Sequence, residues 1–379
     1  MKKFRFCCFL AGLCLPFSGM APAEPSSPQA LSSLAHRADE ARAADHIGEA
    51  VRLYRAALKQ RPSWTDGWWA LGTLLYDADL FSEADDAFQH FAAMAPRPAP
   101  AYAFLGLCEY EIGKYDDALL HFQQWGRAGA LGTKDLIPVA IFRWGALLTR
   151  KGEFQQALYF LTSKASKQSD GPDVIEAVGL AALQMRYLPT EYPAETRALV
   201  ASAGRLQMDV TLRNLDRLDG ERSRLLHSFG NTANVHLMVG TQYVELHQMD
   251  RATGEFQQEL TLFANSVPAK LQLAAVYMEQ MQPEKALPVA QRAVVEAPES
   301  YGAHYMLGQA LLNLNRAAES LPQLETCRKL APRNPYLHFA LSKAYAALGR
   351  TEEARQERSL AASLKEEEHR MMERVEGAK

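Results

Sequence analysis

Large apolar residues and small residues recur along the chain with a period of 34 positions. Trp68, Leu71, Gly72, Ala84 and Phe88 form one copy, and a shift of 34 positions gives Tyr102, Leu105, Gly106, Ala118 and Phe122. The same frame returns near Gly145, Gly179, Gly240, Ala274, Gly308 and Ser342. A fixed period of this length predicts a repeat architecture, in which each unit is a small supersecondary structure that packs on its neighbours.

This pattern resembles the tetratricopeptide repeat, a helix-turn-helix unit with a large residue at position 4, Leu-Gly at 7 and 8, Tyr at 11, Ala at 20 and 27, Phe at 24 and Pro at 32. The resemblance implies an all-α fold, a right-handed superhelical solenoid of about nine or ten helix pairs. In this frame repeats begin near residues 31, 65, 99, 138, 172, 199, 233, 267, 301 and 335.

Small residues in this frame would let two antiparallel helices cross closely, and Pro at position 32 would end the second helix. We expect the small residues to touch one another where the helices cross, with large residues filling the space beside that contact. The predicted packing positions are Gly72, Ala84, Gly106, Ala118, Gly145, Gly179, Gly240, Ala274, Ala286 and Gly308.

Two repeat intervals depart from 34 residues. The interval from 99 to 138 holds five extra residues and reads as a longer loop over 126–134, whereas the interval from 172 to 199 is only 27. The helix predicted after Pro193 is either the second helix of one unit or the first of the next. We therefore predict a lead-in at 24–30, repeat arrays at 31–171 and 233–362, degenerate joint repeats at 172–232 and a polar C-terminal helix tail at 363–379.

The first 23 residues have the features of a secretory signal peptide. Lys2, Lys3 and Arg5 precede an apolar run over 6–15, and Ala21-Pro22-Ala23 matches an A-x-A cleavage site. The apolar run is too short to span a bilayer, and no later stretch approaches 18 uninterrupted apolar residues. The sequence thus predicts an exported chain, periplasmic or secreted, with no membrane span in its mature form.

Charge and cysteine usage narrow the possible functions. The formal net charge is −3, so no strongly basic field is available for a phosphate backbone and we expect no nucleic-acid partner. Outside the predicted signal peptide, Cys108 and Cys327 fall at apolar helical positions, which is typical of free cysteines in a core. Neither a disulfide nor a metal site is expected.

Motifs that carry catalysis are missing from the chain. The sequence contains no GxxxxGK[ST] phosphate loop, no GxSxG elbow and no HExxH zinc motif. His236, His304 and His338 fall at position 4, where they would replace the usual Trp or Tyr in packing. We therefore expect no catalytic residues, no metal and no cofactor. An enzyme with a site within 186–232 is the less favoured alternative; its candidate residues are Asp209, Asp216, Asp219, Glu221 and His227.

The resemblance also implies a binding surface, because positions 2, 5, 9 and 12 of the first helices line a concave groove that receives peptides in the family. Carried over to this chain, the predicted partner-binding residues are Trp69, Tyr76, Tyr110, Phe142, Leu237, Leu271, Met278, Tyr305 and Phe339. The combination of Lys at 5 with Asn at 9, which grips a C-terminal carboxylate in some family members, is absent.

The sequence accordingly predicts a non-catalytic scaffold that binds protein or peptide partners outside the cytoplasm. Two alternatives stay open. The groove could be covered by the chain itself, or the protein could be a self-associating structural subunit of the cell envelope. The oligomeric state is not predicted.

Overall fold

In the part of the chain that the structure describes, every regular element is a helix. The computed structural model describes residues 28–128, 137–163 and 171–376. The helices are α1 (Pro28–Ala43), α2 (Ile47–Gln60), α3 (Thr65–Asp77), α4 (Phe81–Met94), α5 (Ala99–Glu111), α6 (Tyr115–Arg127), α7 (Ile137–Lys151), α8 (Phe154–Thr162), α9 (Pro172–Ala182), α10 (Arg197–Thr211), α11 (Leu218–Phe229), α12 (Val235–Glu245), α13 (Met249–Leu262), α14 (Val267–Glu279), α15 (Pro283–Glu296), α16 (Tyr301–Asn313), α17 (Ala317–Leu330), α18 (Pro335–Ala347) and α19 (Thr351–Glu376). The predicted all-α class is confirmed.

The predicted signal peptide at 1–23 and most of the loop at 126–134 lie outside the described residues. Of the predicted lead-in, residues 28–30 belong to α1. None of the helices in the described ranges is both long and apolar enough to cross a membrane.

The described residues divide into two units, 28–144 and 145–376, with the boundary inside α7. The first unit contains the helix pairs α1/α2, α3/α4 and α5/α6, and in it α2 packs on α3 and α4 on α5. In the second unit α8 packs on α9, and the pairs from α12/α13 to α18/α19 contact one another in chain order. Serial packing of helix pairs within each unit is the predicted repeat-solenoid arrangement. The domain limits drawn from the sequence stay predictions.

Within a pair, the glycine at position 8 faces the large residue sixteen positions later. An ideal Cβ on Gly72 would lie 2.8 Å from Cε1 of Phe88, and one on Gly240 would lie 2.5 Å from Cε1 of Phe256. The same spacing relates the other such pairs, Gly106 with Phe122, Gly145 with Leu161, and Gly308 with Leu324. Our expectation that the small residues would mainly touch one another was therefore wrong, since the glycine makes room for a ring or a leucine. The packing alanines Ala84, Ala118, Ala274 and Ala286 are fully buried.

The turn between the two helices of a pair uses a left-handed residue at position 15. The residues with positive φ at this position are Asp45, Asp79, Gly113, Gly152, His247, Met281, Asn315 and Gly349. Glycine adopts this conformation without strain, and Asp and Asn tolerate it better than other side chains. The turn chemistry was not part of our sequence pattern, although Gly, Asp and Asn at a fixed position would have indicated it.

Neighbouring repeats are joined by a hydrogen bond from the side chain at position 4 to the carbonyl six residues earlier. Nε1 of Trp68 donates to Pro62 at 2.8 Å, and Nε2 of His338 faces the carbonyl of Pro332 at 2.8 Å. His304 faces Pro298 at 2.8 Å in the same way, and Lys270 donates to the carbonyl of Ala264. The acceptor lies in the loop that ends the preceding repeat, so position 4 fixes that loop as well as filling space.

The joint at 172–232 contains one helix pair and one unpaired helix. Helix α10 packs on α9 at two glycines, where a Cβ on Gly179 would collide with the carbonyl oxygen of Val200 and one on Gly204 with that of Ile175. The helix after Pro193 is therefore the second helix of the unit that begins at 172, and the repeat start near residue 199 was wrong. Helix α11 follows as a single helix between this pair and α12.

Candidate functional site

Positions 2, 5, 9 and 12 of a first helix share one side of that helix, because their spacings of three and four residues match the helical period. We call this side the first-helix face. All nine predicted partner-binding residues occupy position 5 or 12, so their packing shows how much of the face is open.

In the first unit, Trp69 and Tyr76 are half-buried around Phe104 of α5. The ring centroids of Trp69 and Phe104 lie 5.4 Å apart, and those of Tyr76 and Phe104 lie 5.2 Å apart, both edge to face. Trp69 also contacts Phe88 and Phe91 of α4 at 5.6 and 5.0 Å. These two side chains join one repeat to the next, and only part of each ring remains accessible.

Tyr110 is buried beneath an arginine. The guanidinium carbon of Arg143 lies 4.4 Å from the centroid of the Tyr110 ring, and Arg143 also forms an ion pair with Glu111 at 2.8 Å. Burial raises the pKa of the Tyr110 hydroxyl, and the nearby Arg143 opposes that rise. Phe142, beside Arg143 on α7, is half-buried. Tyr110 thus offers little surface to a partner.

At the start of the second unit the first-helix face is closed. Leu180 and Leu183, at positions 9 and 12 of α9, are buried in a cluster that also contains Tyr192 from the segment between α9 and α10. Leu237, at position 5 of α12, belongs to the same cluster and is 1% exposed. The chain itself covers this part of the face, as one of our alternatives anticipated.

The face is partly open on α14 and α16 and open on α18. Leu271 on α14 is half-buried because α16 begins against it, and a Cβ on Gly302 would lie 3.0 Å from its Cδ1. Tyr305 on α16 is half-buried and stacks on Tyr301 with ring centroids 5.7 Å apart. Phe339 on α18 is 47% exposed, since no further first helix follows α18 in the described chain.

Met278, at position 12 of α14, is half-buried and packs against the apolar core of the second unit. Tyr336, at position 2 of α18, was not among our predicted residues and is 61% exposed. Its aromatic character at a groove position was visible in the sequence, but all nine predicted residues came from positions 5 and 12.

Two polar side chains at position 9 border the open part of the face. Nε2 of Gln309 donates to the Tyr305 hydroxyl at 2.8 Å. Burial raises the pKa of that hydroxyl, and Tyr336 nearby adds a smaller rise. The Tyr305 hydroxyl therefore keeps its proton at neutral pH and can donate it to an acceptor. Nζ of Lys343 lies 4.7 Å from the centroid of the Phe339 ring, which places a cation beside the aromatic surface.

The histidines at position 4 are engaged in structural hydrogen bonds. Nδ1 of His338 lies 2.5 Å from Glu357, and Nδ1 of His236 lies 2.5 Å from Glu255. His304 contacts Gln323 of α17 at 2.7 Å. Both ring nitrogens of His304 and of His338 have partners, which leaves no free nitrogen for a general base.

In the candidate enzyme region the structure brings together two of the five residues, since the carboxyls of Asp209 and Glu221 share a hydrogen bond. Asp209 accepts a hydrogen bond from Asn214 at 2.9 Å, and Asp219 pairs with Arg251 at 3.2 Å. His227 is exposed on α11. Across 28–128, 137–163 and 171–376, no group of three or more His, Cys, Asp or Glu side chains is placed to hold a metal ion.

Comparison with known protein families identifies the repeat. A tetratricopeptide repeat model matches residues 70–131, 271–325 and 305–363. These segments carry tetratricopeptide repeats. The matched segments include most of α14 and all of α16 and α18, and proteins with this repeat generally act as interaction scaffolds rather than as enzymes.

Solved structures resemble parts of this chain. MamA from Desulfovibrio magneticus RS-1 is 20% identical, with a TM-score of 0.40, covering 45% of this chain and 96% of MamA. YrrB, described as a TPR protein with an unusual peptide-binding site, is 20% identical, with a TM-score of 0.40, covering 48% of this chain and 96% of YrrB. No curated protein matches the chain.

Proposed function

We propose that the chain is a non-catalytic scaffold that binds protein or peptide partners outside the cytoplasm, through the first-helix face of α14, α16 and α18. The observation that supports this most is the exposure of two aromatic rings, Tyr336 and Phe339, on α18. Tyr305 on α16 and Leu271 on α14 hold the same repeat position as Phe339 and are half-buried. Exposed aromatic side chains that lie next to one another are typical of interaction surfaces.

The chemistry of this surface favours a peptide over a nucleic acid. Its rings can bury apolar side chains, the Tyr305 hydroxyl can donate to a backbone carbonyl, and Lys343 supplies one cation at its edge. Tyr110 and Leu237 are buried, so we leave them out of the proposed contact surface. Trp69, Tyr76 and Phe142 belong to the first unit, and Met278 packs against the apolar core of the second, so we leave these four residues out as well.

Partner capture with matched variants tests this proposal. The full exported chain would be used to isolate partners from an envelope extract, and the affinity of each purified partner would be measured for two double variants. Tyr305→Ala with Phe339→Ala removes the proposed surface, whereas Tyr159→Ala with Leu330→Ala removes exposed apolar side chains from the second helices α8 and α17. We expect at least a tenfold loss for the first pair only. Equal partner affinity of the two double variants would contradict the proposed surface.

Export is tested separately. Residues 1–30 fused to a reporter that is active only outside the cytoplasm should give activity, and replacement of Lys2, Lys3 and Arg5 by Ser should abolish it. Activity that does not depend on these cations would refute the predicted signal peptide.

Self-association is a second candidate. It is favoured by the exposure of Tyr336 and Phe339 on α18, which is the first helix of the last helix pair in the described chain. Light scattering over a range of concentrations would show a stable oligomer that Phe339→Ala dissociates. A monomer at all concentrations would exclude this candidate.

A further inference from the structure

The unpaired helix α11 leaves a cleft between itself and α10. Its volume is about 210 Å³. Helix α10 contributes Ser202 and Arg205 to the lining, and α11 contributes Glu221, Arg224 and three further side chains. None of these residues occupies the first-helix face, so the cleft is separate from the proposed partner surface.

The lining of the cleft is divided between an apolar floor and a polar rim. The floor consists of Leu225, which is buried, and Phe229, which is half-buried. The polar lining on the rim includes the hydroxyls of Ser202 and Ser228 and the guanidinium of Arg205. A pocket with an apolar surface and a few converging polar groups is the usual form of a small-molecule site.

The polar groups on the rim are available to a ligand. Arg205 and the hydroxyls of Ser202 and Ser228 make no hydrogen bond or ion pair with any other residue in the described ranges. Arg224, across the cleft, is held by the carbonyl of Gly220 at 3.4 Å and lies 3.8 Å from Glu221. The cleft thus presents one guanidinium without a partner and a second that is weakly engaged.

Glu221 opposes an anion less than an ordinary glutamate would. Burial raises the pKa of its carboxyl, and a hydrogen bond with the carboxyl of Asp209 raises it further. A carboxyl that keeps its proton to higher pH contributes less negative charge to the cleft. Arg205 and Arg224 are the two cationic groups of the lining.

We propose that this cleft binds a small organic anion, with its carboxylate or phosphate on Arg205 and the serine hydroxyls and its apolar group on Leu225 and Phe229. The planar guanidinium donates two parallel hydrogen bonds to either oxyanion. The volume suits an anion the size of a single amino acid. Binding would join α11 to α10 and stabilise the folded chain.

Calorimetric titration of the full chain with four probes tests the ligand class. Phenylacetate and phenyl phosphate carry both required groups and distinguish a carboxylate from a phosphate ligand. Phenylacetamide lacks the charge, and acetate lacks the apolar group. We expect saturable binding of at least one aromatic anion, with the amide and acetate at least tenfold weaker. Binding of the amide as tightly as the anions, or no saturable binding of any probe, would overturn the proposal.

Three variants locate the site. Arg205→Gln should weaken binding of the aromatic anion at least tenfold, and Ser202→Leu should abolish it by filling the cleft. Arg358→Gln makes the same charge change on the exposed face of α19 and should leave affinity unchanged. Circular dichroism would confirm that each variant is folded. If Ser202→Leu does not fold, the affinity of Arg205→Gln alone tests the site, because Arg205 is exposed. Equal affinity of Arg205→Gln and Arg358→Gln would overturn the assignment.

Discussion

The ring of Phe88 occupies the space that a side chain on Gly72 would need, with its Cε1 atom 2.8 Å from the position of an ideal Cβ. The same relationship, always sixteen residues apart, recurs in both units of the chain. It explains why glycine and a bulky residue are paired in the repeat, since the bulky side chain fits only where the facing residue has no Cβ.

This pairing predicts opposite effects for two glycines of one repeat. Gly240→Ala in α12 should destabilise the protein by about 1–3 kcal/mol, because the new Cβ would lie 2.5 Å from Phe256. A Cβ added at Gly254 in α13 would have no neighbouring atom within 4 Å. Gly254→Ala should therefore stabilise the protein by up to about 1 kcal/mol, because alanine has the higher helix propensity. Chemical denaturation measures both, and destabilisation by Gly254→Ala as large as that by Gly240→Ala would contradict the packing argument.

The crossing of α9 and α10 should be less tolerant than the other pairs. A Cβ on Gly204 would collide with the carbonyl oxygen of Ile175, which is backbone and cannot rotate away as the Phe256 ring can. Gly204→Ala should therefore cost more free energy of unfolding than Gly240→Ala, about 3 kcal/mol or more. The two variants compared in one denaturation series test this, and the reverse order would show that the helices separate easily.

The left-handed turns predict a stabilising substitution. Met281 has φ of 56° and is 81% exposed, so its side chain contributes strain and little packing. Met281→Gly should raise the free energy of unfolding by about 0.5–1 kcal/mol. Val295→Gly is the matched control, because Val295 is 82% exposed but lies within helix α15, where glycine should be destabilising. A loss of stability in both variants would show that the turn is not strained.

The link between neighbouring repeats can be tested at His338. His338→Phe keeps a buried ring but removes the contacts to the Pro332 carbonyl and to Glu357, and it should destabilise the protein by about 1–3 kcal/mol. His227→Phe on the exposed side of α11 should change stability by less than about 0.5 kcal/mol. Thermal unfolding measures both. Equal stability of the two variants would mean that position 4 acts through packing alone.

The fold was predictable because the same packing residues recur in many repeats. Position 8 of the repeat is glycine at Gly72, Gly106, Gly240 and Gly308. A chance match in one copy therefore cannot account for the pattern. The joint was not predictable, because the contact of Gly179 with the backbone around Gly204 occurs once and has no second copy to reveal it.

The candidate surface was only partly predictable. The position of a residue in the repeat gives the side of the helix on which it lies, but not whether other parts of the chain bury it. Leu237 and Leu271 hold the same position in successive repeats. Yet Leu237 is buried in the core around α9 and Leu271 is half-buried. Leu237 belongs to a buried cluster that also contains Tyr192 from the segment between α9 and α10, and that segment falls outside the repeat pattern.

Two alanine variants should separate the core from the surface at this position. Leu237→Ala should destabilise the protein by about 2–5 kcal/mol, because its side chain is 1% exposed and a cavity would remain. Phe339→Ala should cost less than about 1 kcal/mol, since nearly half of the side chain is exposed. Their effects on a partner should be reversed, with Phe339→Ala weakening binding and Leu237→Ala leaving the affinity of the folded fraction unchanged. Unfolding curves with and without the partner measure both quantities. A loss of affinity in folded Leu237→Ala equal to that in Phe339→Ala would show that the binding surface extends to α12 and that the cover over this part of the face opens.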